Sequence, residues 1–213
     1  MQINIHKSIT IVTMAFDGYE RFIPQYVEYI RRLKPKPKEV ILVLPMNTGF
    51  KENIEGITII KSDATTMGGY LNAGIKCANS DIILSFSVDD ELLENAIEEI
   101  QVIDADIITL KYYCENKVMN TPEMKKERIK DWKKYYINAS GYLAFKKQYV
   151  DDTDFWKYPL LFKTILEDKI IKSTNNPCAV WHKRPGSHGA GQNAARGEIA
   201  TGEYANKYLS KKI

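Results

Sequence analysis

The sequence predicts an α/β fold, a sheet with helices on both faces, and three observations carry that prediction. Short β-branched, apolar runs alternate with stretches of helical periodicity through the first half of the chain. The runs break at turn-forming or acidic residues. The chain also has 213 residues, 44% hydrophobic and 27% charged, which suits one well-buried domain and would make two cramped.

Ser8–Met14 (SITIVTM) reads as the first strand and breaks at Phe16-Asp17-Gly18-Tyr19. Phe22, Ile23, Tyr26, Val27, Ile30 and Leu33 then recur at helical spacing, with Pro24 tolerated in the first turn. The prolines of Lys34-Pro35-Lys36-Pro37 end that helix. Glu39–Pro45 (EVILVLP) and Gly56–Lys61 (GITIIK) are the second and third strands, separated by the turn at Asn47-Thr48-Gly49. A glycine-containing helix begins at Met67 and leads into the apolar run Ile82–Phe86. That run ends at two carboxylates, Asp89 and Asp90, with Glu91 following. Leu92, Leu93, Ala96, Ile97 and Ile100 then share a face, so a helix is expected directly after the acids. On that reading Asp90 either caps the helix or faces a ligand at the carboxyl edge of the sheet. Ala105–Tyr113 adds another strand.

The second half changes character. Residues 115–136 are polar, lysine-rich and aromatic, readable as a charged helix or as a basic, ring-studded surface for a polyanion. Strand character returns at Ile137–Lys146. The acidic Asp151-Asp152-Thr153-Asp154 precedes a helical pattern over Phe155–Leu166, and two short strands are expected at Lys169–Lys172 and Cys178–Trp181. The tail from Ala194 is polar, with a helix expected.

Composition narrows the functional classes. The net charge of +3 is compatible with anionic partners without requiring them. Cys77, Cys114 and Cys178 lack CxxC spacing, which argues against a zinc knuckle or disulfide framework. Cys77 and Cys178 are expected in the core. No apolar run approaches a membrane span and no signal-peptide core is visible, so a reduced, cytoplasmic setting is expected.

Taken in order, these pieces resemble the GT-A nucleotide-sugar glycosyltransferases, most closely the family 2 type. TMAFDGYER is similar to their nucleoside-contacting strand and turn, Leu71-Asn72-Ala73-Gly74-Ile75 to their "N-x-G-hydrophobic" helix, and Asp81–Leu93 to their Asp-x-Asp element. Ser87 stands where that motif has its first acid, while Asp89 matches the second and Asp90 the acid that commonly follows. Ser140–Phe145 is similar to the small-residue strand beside the acceptor, Asp151–Asp154 to the acidic stretch carrying the base, and Trp181-His182 to a strand-end histidine beside the metal. The resemblance covers roughly residues 8–190.

It implies a GT-A, Rossmann-like, mixed and mostly parallel sheet in a single domain over 1–213. Residues 1–113 would form the nucleotide-sugar half, 114–190 the acceptor and catalytic half, and 191–213 a tail. The implied activity is transfer from a nucleotide diphosphate sugar, a UDP-sugar favoured, with inversion. Mn2+ or Mg2+ would offset charge on the departing diphosphate, held by Asp89 with His182, or with His188 as the rival ligand. Asp152 would be the base, with Asp151 and Asp154 as alternatives. Thr13, Ala15, Asp17, Asn47, Gly68, Gly69, Asn72, Asp90, Lys183, Arg184 and His188 would contact the donor. Trp132, Tyr135, Tyr136, Ser140 and Gly141 would line the acceptor side. The acceptor is a glycan or polymer, or a modified base in bacteriophage DNA, in which case the compartment is the host cytoplasm. Two rival readings stay open: an inactive GT-A domain that binds glycan or nucleic acid, and a nucleotidyltransferase-like enzyme. The second would want a glycine-rich phosphate loop after the first strand, and Phe16–Arg21 lacks the glycines.

Overall fold

The computed structural model describes residues 7–16, 18–120, 142–149 and 169–182. The first strand, β1 (Ile9–Met14), is buried along its whole length, which its unbroken apolar and β-branched sequence requires. A single turn of 3-10 helix at Glu20–Phe22 leads into α1 (Ile23–Arg32), with Pro24 in the first turn as its missing N–H allows. Strands β2 (Glu39–Pro45) and β3 (Thr58–Ser62) follow, then α2 (Met67–Cys77) and β4 (Ile82–Ser87). All four strands run parallel, in the order β3-β2-β1-β4.

Beyond β4 the sheet turns mixed. The short β5 (Glu91–Leu92), α3 (Ala96–Gln101), β6 (Ile107–Cys114), β7 (Lys117–Met119), β8 (Tyr142–Lys146) and β9 (Ile171–Trp181) complete the described elements. Strand order continues β4-β8-β6-β9-β5, with β8 antiparallel to both its neighbours and β9 parallel to β6. Helices cover both faces, as expected. Tyr26, Val27 and Ile30 of α1 and Ile97 and Ile100 of α3 pack with Ile11, Leu42, Leu84 and Leu110 on one face. Tyr70, Leu71 and Ile75 of α2 pack with Val12, Val43, Ile83 and Phe145 on the other.

Glycine in α2 has a specific cause. A Cβ at Gly74 would lie 2.4 Å from Val12 Cγ1 and 2.9 Å from Val43 Cγ2, so only glycine lets the helix lie this close to the sheet. The helix starts at Thr66, whose hydroxyl accepts from the Gly69 N–H at 3.0 Å.

Four local expectations are corrected. The chain after Asp90 is first extended: β5 pairs antiparallel with Val180 and Ala179, and the Leu93 N–H donates to Cys178 O, so backbone partners on β9 hold it out of a helix until Ala96. The two short strands expected at 169–172 and 178–181 are one 11-residue strand, β9, irregular at 174–177. Between Thr109↔Ser173 and Tyr112↔Ala179, β9 carries three more residues than the facing stretch of β6. Within the expected polar excursion, β7 pairs with β6 across the turn Glu115-Asn116, both at positive φ. Cys77 is exposed at the end of α2, whereas Cys178 is buried. The helix expected at Phe155–Leu166 and the polar tail lie outside the described residues.

Candidate active site

Because β1 to β4 are parallel, their carboxyl ends share one edge, and α2 begins there. Ala15, Asn47, Thr66–Gly69 and Ser87–Asp90 therefore converge at the place where open α/β sheets bind ligands. Strand β6 and strand β9 end at the same edge, where Cys114 faces Trp181.

The two acids after β4 are both buried, Asp89 to 8% exposure and Asp90 to 5%. Their surroundings differ. Asp89 Oδ1 accepts from the Ser87 hydroxyl at 2.6 Å, so the residue standing where a first acid was expected now donates to the second. Asp90 turns into the protein: Oδ2 accepts from Tyr142 Oη at 2.7 Å and Oδ1 from the His182 backbone N–H at 3.0 Å. Asp90 is thus no helix cap; α3 starts after Asn95, which makes no side-chain cap bond. Burial first, and then the charge of Asp90, push the Tyr142 phenol well above its ordinary value, so it stays protonated and donates.

His182 follows the last paired residue of β9. Its Nε2 is buried, has no hydrogen-bond partner among the described residues, and lies 3.8 Å from Glu91 Oε2. The other Glu91 oxygen accepts from Arg32 at 2.9 Å. An orphaned imidazole nitrogen beside a carboxylate is the donor chemistry a divalent cation takes up. Among the described residues, no group of three or more His, Cys, Asp and Glu side chains is arranged to hold a metal. A cation held here by His182 and a carboxylate would need its remaining oxygens from a bound substrate.

On the donor side, Asn47 is exposed at the end of β2. Gly68 and Gly69 form the first turn of α2, with Asn72 buried one turn on. Thr13 is corrected: it is fully buried and its hydroxyl bonds Tyr26 Oη at 2.8 Å, because β1 is covered on both faces and this side chain points at α1. The Ala15 side chain is likewise in the core, and its N–H donates to Val43 O at 3.0 Å. Asp17, Lys183, Arg184, His188, Asp151, Asp152, Asp154, Trp132, Tyr135, Tyr136, Ser140 and Gly141 lie outside the described residues. The sequence reasoning missed three groups. Tyr142 could have been found as the polar-tipped aromatic directly after Ser140-Gly141. Glu91 was visible only as a neighbour of the acids. The pairing of Phe16 with Tyr70, edge to face at 5.3 Å where β1 ends and α2 begins, gave no local signal, although Phe16 lies within TMAFDGYER.

No protein-family model matches the chain, and no curated protein does. Solved structures do. The chain superposes on TarS 1-349 of S. aureus in complex with UDP-GlcNAc at TM-score 0.62 and 14% identity, covering 95% of this chain and 73% of that one. Glucosyl-3-phosphoglycerate synthase from Mycobacterium tuberculosis, in complex with Mn2+, uridine diphosphate and phosphoglyceric acid, matches at TM-score 0.65 and 15% identity, over 93% of this chain and 78% of that one. The chain has the GT-A fold. Against a second TarS 1-349 structure, at TM-score 0.57 and 12% identity, it spans 60% of that chain's length. Strand β4, which leads to Asp89 and Asp90, is central in the sheet, and the end of β9 brings the His182 N–H to Asp90. Among the described residues, no helix is long and apolar enough to cross a membrane.

Proposed function

We propose that this chain transfers a sugar from a nucleotide diphosphate sugar, a UDP-sugar, to an acceptor hydroxyl. The observation that carries the reading is the pair Asp89 and Asp90, buried at the carboxyl end of β4, with the His182 backbone brought to Asp90 by β9, in a GT-A fold. The solved neighbours holding UDP-GlcNAc, or Mn2+ with uridine diphosphate, support the donor class and the cation.

Asp89 and His182 would hold Mn2+ or Mg2+, which when bound offsets negative charge on the diphosphate. Asn47, the α2 start at Gly68-Gly69 and Asn72 bind the nucleoside side, and Lys183, Arg184 and His188 supply contacts to the phosphates. Asp152, or its neighbour Asp151, accepts the proton of the attacking hydroxyl, and displacement from the face opposite the diphosphate inverts the anomeric centre. Trp132, Tyr135, Tyr136, Ser140 and Gly141 face the acceptor, a glycan or polymer hydroxyl.

A thermal-shift screen of UDP-, GDP- and dTDP-sugars with and without Mn2+ tests this. A UDP-sugar at about 100 times its Kd is expected to stabilise the fold by about 2.7 kcal/mol, only when Mn2+ is present. No response to any nucleotide sugar overturns the reading. One observation favours a second reading, a GT-A module that binds without turnover: Ser87 occupies the first acidic position and spends its hydroxyl on Asp89. Donor binding without release of nucleotide from any donor would select that reading.

A further inference from the structure

We infer that Asp90 is a positioning residue, which ties Tyr142 to the backbone of His182 and thereby sets where the His182 imidazole stands. The inference rests on the reading of His182 as a metal-side group.

Three observations meet in it. First, Asp90 joins groups far apart in sequence: its partners are 52 and 92 residues away, one at the start of β8 and one just past the end of β9. A buried carboxylate bonded this way fastens three strand ends to each other, because each bond to an ionised acceptor in a water-poor site is stronger than its neutral counterpart.

Second, the Tyr142 hydroxyl is itself aimed. Its ring lies 4.6 Å from Phe86 and 5.5 Å from Tyr112, centroid to centroid, so aromatic packing on two sides fixes the direction in which the O–H points. Third, among the described residues the imidazole has no hydrogen-bond partner at Nε2, which is buried. Past Trp181 the ladder to β6 has ended, and the His182 N–H is held instead by Asp90. The ring's place next to Glu91 thus depends on a backbone bond to Asp90. The two adjacent acids divide the work: Asp89 faces the cation and Asp90 aligns the second ligand.

The test compares wild type, Asp90→Asn and Tyr142→Phe by two readouts: the Mn2+ concentration giving half of the UDP-dependent thermal shift, and hydrogen exchange at the His182 amide without ligand. Asp90→Asn is expected to raise the Mn2+ midpoint by about 10- to 100-fold, as loss of a ligand-orienting partner does. Tyr142→Phe, which removes one hydroxyl bond and leaves Asp90 in place, is expected to raise it by about 3- to 10-fold. Both are expected to speed His182 amide exchange by about 10-fold or more, with UDP affinity at saturating Mn2+ near wild type in Tyr142→Phe. A wild-type midpoint and unchanged amide exchange in Tyr142→Phe, alongside a large loss in Asp90→Asn, would mean that Asp90 meets the donor or cation directly and overturns the inference. A wild type silent to Mn2+ and UDP overturns the functional reading and takes this inference with it, and it is recognised before any variant is made.

Discussion

Two carboxylates, Asp90 buried and Asp106 partly buried, fasten this sheet at opposite edges, and they do so by different chemistry. Asp106 stands at the amino end of β6 and takes a cation: Lys146 Nζ at 2.6 Å, with Tyr149 Oη on the same oxygen at 2.8 Å and the Ile170 N–H on the other at 2.8 Å. Burial alone would push this carboxyl up, but the bonds from Lys146, Ile170 and Tyr149 outweigh it and bring it down to about 2. Asp90, at the opposite edge, receives a phenol and a backbone amide, with Asp89 as its sequence neighbour. A carboxylate matched by a lysine is neutralised and serves stability. One placed beside a second carboxylate leaves the local charge negative, which suits an edge meant to receive a cation. Charge balance separates scaffold from site.

The largest effect should come from breaking the amino-edge cluster. Asp106→Ala removes three bonds to one acceptor and is expected to cost roughly 2–4 kcal/mol by urea denaturation, while the Mn2+- and UDP-dependent shift survives in the folded variant. If that shift vanishes as well, the two edges are not independent. A smaller effect follows from acid. The folded Asp106 carboxyl titrates below its unfolded counterpart, so its contribution is complete above the unfolded value near pH 4 and is lost as pH falls toward about 2. Lys146 is about one-third exposed, and with that screening the contribution is about 1–2 kcal/mol. The stability gap between wild type and Asp106→Asn should close across that window; a constant gap would show that the charge is not what matters.

Ser87→Asp sharpens the comparison from the other side. A second carboxylate against Asp89 is expected to lower apo stability by roughly 1 kcal/mol and to lower the Mn2+ midpoint by about 3- to 10-fold, read in the same thermal assay. An unchanged midpoint would remove Ser87 from the cation's surroundings. The smallest effect is expected for Arg32→Ala. Its pair with Glu91 leaves the arginine 54% exposed, and such pairs are worth about 0–1 kcal/mol.

Much of this was legible in the sequence, for reasons that can be located. The strands β1, β2 and β4 were visible because continuous apolar, β-branched runs suit burial on both faces, and α1 because its apolar residues repeat at helical spacing. The same double burial hid the role of Thr13: without alternation along β1, nothing local says which way a side chain points. Strands β5 and β7 are two and three residues long and exist through their partners, so no periodicity could announce them. Asn175-Asn176-Pro177 reads as a turn, yet Glu99 receives the N–H groups of Asn175 and Asn176, and the strand continues. Asp89 and Asp90 stood out as acids at a strand end. That they face different ways was not legible, since Asp90 takes its partners from residues that only folding brings near.

The irregularity in β9 has a consequence for how relatives of this chain are to be aligned. Were β9 regular, the register at Ser173 would put Cys178 opposite Cys114, where Trp181 now stands. The histidine stands just past the edge, instead of four positions beyond it, because the irregularity takes up three residues of the strand. An alignment that lets loops vary but keeps strands rigid would match His182 to the wrong column. Likewise, deleting a single residue between Thr174 and Pro177 would act at the edge like a mutation of the histidine itself, with every residue there keeping its identity.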